Sequence, residues 1–211
     1  MHTHTLKGLV VLSFIVYHSV VSADQYCNKA SIVETAPTAR FSINGAIALD
    51  HATGFEWTRC PLGHVFDDNG TPDNVTDDEC TPQGATRTTW QSANSRVSSI
   101  NSTGLAGYDG TVVYDWRMPN IKELATVVER ACIYPARNLE VFPLTVAYES
   151  WSSTLTAPYT GNYYDSAYAI FRDGRVVGSE VYTDPLDYEL SGTNNDTEPS
   201  KWKRVYAIRG G

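Results

Sequence analysis

The chain has 211 residues, 42% of them hydrophobic, and a formal net charge of −8. That length fits one domain or two small ones. The acidic balance argues against nucleic acid or anionic lipid as partners, because its mean field repels phosphate, and suits cationic groups, neutral sugars or divalent cations better.

The N-terminus reads as a targeting segment. A single Lys7 precedes the apolar run "GLVVLSFIVYHSVVSA", and Val21, Ser22 and Ala23 form a signal-peptidase site before Asp24. The run, interrupted by His18, is short for a membrane span. Residues 1–23 are therefore expected to be a cleaved signal peptide, and the protein to be exported: periplasmic, cell-surface or secreted. Cleavage removes Lys7 and no acid, moving the formal charge from −8 to −9. No later stretch is apolar enough to span a membrane.

Cys27, Cys60, Cys80 and Cys132 remain. An even number in an exported chain implies two disulfides, with three pairings open. We favour Cys60–Cys80 as a local staple of an acidic loop, with Cys27–Cys132 tying the N-terminal segment to the second helix. The sequence lacks a Cys-x-x-Cys pair, and its only histidines after residue 23 are His51 and His64, which argues against zinc.

Residues 24–39 are polar and read as an extended lead-in to a domain over residues 40–211. "RFSINGAIALD" carries the turn pair Asn44-Gly45 and then Ile47 and Leu49 in alternation, and "HATG" and "FEWTRC" extend it into an opening β-hairpin. A long polar loop is expected between Cys60 and Cys80. Its Asp67, Asn69, Asp73, Asp77, Asp78 and Glu79 are oxygen ligands at a density that suits Ca²⁺, although the spacing departs from the EF-hand. A solvated acidic loop under a disulfide is the plainer reading. In "TTWQSANSRVSSIN", Thr88 or Thr89 caps a helix whose Trp90, Ala93 and Val97 share one face.

"DWRMPNIKEL" comes next. Pro119 fits a first helical turn, and Ile121, Leu124, Ala125, Val128 and Ala131 share a face, predicting a second helix from Pro119 to Ala131. Trp116 supplies large buried area, with Asp115 and Arg117 flanking it on the opposite face. Glu123, in the first turn, favours the helix dipole and is placed to pair with Arg117 or accept backbone N–H bonds. A structural corner outweighs a catalytic one here. "ESWSST" has no G-x-S-x-G elbow and no well-placed base, which argues against a serine nucleophile, and Trp151 reads as core. The tail is strand-rich, with Asp173-Gly174 as a hairpin turn and "RVYAIR" as a closing strand expected to meet the N-terminal strands. Asp184 to Lys201 reads as a polar excursion. The order predicts an α+β fold, two helices packed on antiparallel sheet and hairpins.

The succession "RFSINGAIALDHATGFEWTRC … TWQSA … YDWRMPNIKELATVVE … YESWSST … AYAIFRDGRV … KRVYAIRG" resembles the Lcl C-terminal domain family, bacterial exported or surface proteins related to C-type lectin-like folds. Phe55, Met118 and Ser150 depart mildly from its usual residues, and the acidic insert after Cys60 looks specific to this lineage. The resemblance implies a non-catalytic binding or adhesion domain with a glycan or protein at the cell surface as partner. Its best-described kind binds sulfated glycosaminoglycans through basic surface. Here the matching cluster is Arg172, Arg175, Lys201, Lys203, Arg204 and Arg209, which also reads as ordinary surface charge. Two alternatives remain: a structural module of a surface assembly, and an enzyme of the formylglycine-generating type on a related fold, which would need reactive cysteines.

Overall fold

The computed structural model describes residues 25–84, 87–144, 149–156, 166–180 and 203–211. The expected signal peptide and the stretch from Asp184 to Lys201 lie outside the described residues. The fold is mixed helix and sheet, built mostly from small antiparallel sheets.

β1 (Tyr26–Cys27) opens the described chain. β2 (Phe41–Asn44), β3 (Ile47–Asp50) and β4 (Phe55–Thr58) follow as a three-stranded meander, one strand longer than the expected hairpin. Its first turn is Gly45-Ala46, one residue later than predicted, since Asn44 pairs with Ile47 and Gly45 takes a positive φ of 53°.

The segment between Cys60 and Cys80 is a hairpin and not a loop. β5 (His64–Asp67) pairs with β6 (Glu79–Pro82), and the acidic residues occupy its tip. α1 (Trp90–Thr103) starts at Thr89, whose hydroxyl accepts the Ser92 N–H at 3.3 Å. Ala93 and Val97 are its buried face. It stops at Gly104, where φ is +80° and a Cβ would collide with Val112 and Tyr114. β7 (Leu105–Ala106) and β8 (Val112–Val113) form a short ribbon.

α2 spans Ile121–Thr126, shorter than the predicted Pro119–Ala131. The apolar periodicity continues beyond it, but the chain leaves the helix because Glu129, 1% exposed, collects other donors. Its carboxylate accepts N–H bonds from Thr35 (3.2 Å), Ala36 (2.8 Å) and Ala131 (2.8 Å). That knot binds the lead-in to the end of α2 and delivers β9 (Cys132–Ile133) beside β1, with Cys27 opposite Cys132.

β10 (Ser150–Leu155), β11 (Ser166–Ile170) and β12 (Val176–Glu180) form an antiparallel sheet, with Gly174 in the left-handed region at the expected turn. β13 (Ile208–Gly210) pairs with β4, giving the order β13-β4-β3-β2. The closing strand thus joins the meander, whereas β1 pairs with β9.

The segment leading into β13 is the spine of the molecule. Val205 enters a cluster with Ala93, Val97, Met118 and Trp151. Tyr206 and Ile208 join Phe41, Trp57, Leu124 and Phe142. Ala207 packs with Ile47 and Trp116. Phe142 meets Phe41, Trp57 and Tyr206 edge-on at centroid distances of 6.0, 6.3 and 5.9 Å, the arrangement ring quadrupoles favour. The spine's backbone is stitched from several sides: Val205 O accepts from Leu62, Ala207 O from Thr58, Arg204 O from Trp151 and Ile208 O from Arg117. Both favoured disulfides are present, Cys27–Cys132 and Cys60–Cys80.

Candidate functional site

The basic residues of the closing region have divergent fates. Lys203 is fully buried: burial lowers its pKa, its ammonium donates to Glu149 at 3.0 Å, and it lies over the Trp151 and Phe171 rings. Arg209 sits between Asp115 (2.8 Å) and Glu56 (2.7 Å), and the bond from Asp115 leads in raising its pKa. Arg175 pairs with Asp173 beside it in the turn. Lys201 lies outside the described residues.

Arg172 and Arg204 do meet. They line a recess of about 20 Å³ together with Arg137, Phe171 and Tyr206. Three elements deliver them. Arg172 follows β11, its carbonyl accepting the Tyr134 and Ala136 N–H groups and its guanidinium stacking on the Tyr134 ring at 5.1 Å. Arg204 belongs to the spine and is 4% exposed. Arg137 donates to the Ser150 hydroxyl at 3.2 Å and lies over the Tyr206 ring at 4.4 Å. The Tyr206 hydroxyl, on a residue 2% exposed, makes no hydrogen bond. No lining residue among those described is acidic, in a chain of net charge −8. Arg137 and Arg172 form no ion pair with any described residue. Sequence reasoning missed Arg137 because it stands alone in "YPARNLE", far from the other two.

The acidic tip is held by its own short-range bonds. Asp67 accepts from Asn69 N–H (2.9 Å), Thr71 Oγ1 donates to Asp77 (2.8 Å), and the Asn69 amide donates to the Asp77 carbonyl (2.5 Å). Asp73 and Glu79 are exposed. Asp78 turns inward to Arg59 at 2.6 Å, both side chains buried. Among the described residues no group of three or more His, Cys, Asp or Glu side chains is arranged to hold a metal ion.

The "DWRMPNIKEL" corner is a joint. Trp116 is buried, its backbone clasped by the Asn101 amide (3.0 and 2.6 Å). Asn120 and Glu123 form a capping box for α2, and Arg117 grips the Glu123 carboxylate with two bonds, 2.7 and 2.8 Å. Burial alone would raise the Glu123 pKa. The Arg117 and Asn120 N–H bonds outweigh it and hold the carboxyl below its usual range. The Pro119 carbonyl accepts from Ser153 N–H. Trp151 is fully buried, its indole N–H bonded to the Thr88 carbonyl at 2.8 Å. Ser152 donates to the Tyr168 carbonyl at 2.6 Å and is buried. The Ser42–His51 contact (2.7 Å) is exposed. All four cysteines are paired in the two disulfides.

No helix among the described residues is long and apolar enough to cross a membrane. Neither a curated protein nor a solved structure matches the chain. The model of the Lcl C-terminal domain matches residues 46–185, from the β2–β3 turn past the end of β12; the closing strand lies outside the match. The motif succession, the two disulfides and this match lead to one conclusion: the chain belongs to the Lcl C-terminal domain family.

Proposed function

We propose that this protein is an exported, non-catalytic binding domain on a C-type lectin-like scaffold, and that it holds an anionic group of a surface glycan in the recess of Arg137, Arg172 and Arg204. The signal-peptide pattern and the oxidised cysteines support export. The two-helix α+β arrangement supports the scaffold. One observation carries the function: three arginines line one recess with no acid among its described lining residues, beside a buried hydroxyl with no hydrogen bond. Guanidinium forks match sulfate and carboxylate, and a buried unbonded hydroxyl is an unused donor.

The recess is about 20 Å³, room for one small group and not for a sugar ring. The anion enters and the rest of the glycan stays on the surface, which reconciles an acidic protein with an acidic ligand through local charge. A glycan array comparing sulfated, uronate-bearing and neutral members tests this. Binding confined to anion-bearing glycans is expected. Equal binding to neutral glycans, or none to any, overturns the proposal.

A further inference from the structure

A second, larger cavity lies between α1, the β5–β6 hairpin and the start of β3. Its volume is about 400 Å³, within the ~300–1,000 Å³ of small-molecule sites. Ile47, Leu62, Ile100 and Leu105 supply apolar wall, and Arg96 and His64 are its basic groups. No acidic residue among those described lines it.

Arg96 is placed where a counterion is wanted. It donates to the Leu62 carbonyl at 3.2 Å and has no ion pair with any described residue, while burial lowers its pKa. A half-buried guanidinium with most of its donors unused gains from a ligand carboxylate. The His64 ring nitrogens are shielded from solvent and make no hydrogen bond. Burial, then the positive charge of Arg204, holds its pKa down at about 4, with the Pro61 carbonyl pulling weakly the other way and Arg96 adding to the fall. At neutral pH the ring is uncharged, so the cavity carries one formal positive charge, on Arg96. The Cys60–Cys80 disulfide fixes one wall, since Cys60 lines the cavity.

We infer that this cavity is a binding site for a small organic monoanion: a carboxylate carried on an apolar body. The charge complement is one guanidinium, which sets one negative charge. The aliphatic side chains form most of the wall and suit an apolar body, with Thr58, Gln83 and Ser99 as its neutral polar groups.

Isothermal titration with octanoate and with octanol, equal in chain length and differing in charge, tests the inference on the full chain. Octanoate is expected to bind at least roughly tenfold more tightly than octanol, the lower end for a charge-assisted hydrogen bond. Arg96→Gln, which keeps a donor for the Leu62 carbonyl, removes that preference, and Ile100→Trp, which fills the cavity, removes binding of both. The titrations are repeated in the Arg137→Gln/Arg172→Gln background, which removes the arginine recess as a competing carboxylate site. Thermal melts confirm that each variant is folded. Equal affinity for the two probes, octanoate binding that survives Arg96→Gln or Ile100→Trp in a folded protein, or no binding of either probe overturns the inference.

Discussion

Replacing Asp78 with asparagine is expected to destabilise the protein by about 3 kcal/mol, the scale for breaking a buried ion pair. The Asp78 and Arg59 side chains are 4% and 1% exposed and meet at 2.6 Å. The guanidinium also donates to the carbonyls of Val141 (2.9 Å), Gly45 (2.8 Å) and Glu140 (2.8 Å) and lies over the Phe66 ring. Burial lowers the Arg59 pKa, and the bond to Asp78 works against that fall. In Asp78→Asn the cation keeps its three carbonyls and loses its counter-charge. Arg59→Met is worse: it strands a buried carboxylate and three carbonyls, adding about 1 kcal/mol for each carbonyl left without a donor. The double variant is expected to cost less than the sum of the two, with a coupling of about 1–3 kcal/mol. At about 2–4 °C of Tm per kcal/mol for a chain of this size, Asp78→Asn should melt about 6–12 °C lower. Calorimetry of the four proteins measures this. An Asp78→Asn shift under about 2 °C, or strict additivity, would place the pair in the range of solvent-screened surface bridges and refute the reasoning.

Other outcomes follow from the same geometry. Folding depresses the His64 pKa from 6.5 to about 4, so its contribution is fully present above the unfolded value. It is lost as pH falls from about 6.5 towards 4; urea melts across that window should show the slope, and His64→Phe should flatten it. Asn120→Ala removes the capping-box acceptor of α2 and should cost about 1 kcal/mol in the same assay. Asp67, Asp77 and Asp78 of the acidic tip are engaged with Asn69, Thr71 and Arg59, and no described acidic group is arranged to hold a metal, so calcium and chelator are expected to leave Tm unchanged; a rise with calcium would make the tip a metal site.

Local signals in the sequence were legible where one short-range cause dominates. Thr89 caps α1, Asn120 and Glu123 box α2, and the Asp173-Gly174 turn sits between paired strands. The disulfides followed from one local staple and a remainder. What escaped depends on partners distant in the chain. The β5–β6 hairpin was hidden by its polar tip, because Phe66 is its one aromatic and Asp78 is ordered by Arg59. α2 ends early because Glu129 bonds Thr35 and Ala36, far upstream. The basic closing run suggested a surface patch, yet Lys203 is buried by Glu149 and two aromatic rings, and the arginine that completes the recess, Arg137, belongs to another part of the chain. Charge counted along a sequence does not reveal which guanidinium groups share a space.

The most direct test of the arginine recess is titration of the wild-type protein and of Arg137→Gln/Arg172→Gln with a heparin oligosaccharide across a salt series. Wild type is expected to bind with an affinity that falls as salt rises, and the variant at least roughly tenfold more weakly with a shallower salt dependence. Equal affinity and equal salt slope in the two proteins would contradict the account, since the recess would then have no part in holding the anion.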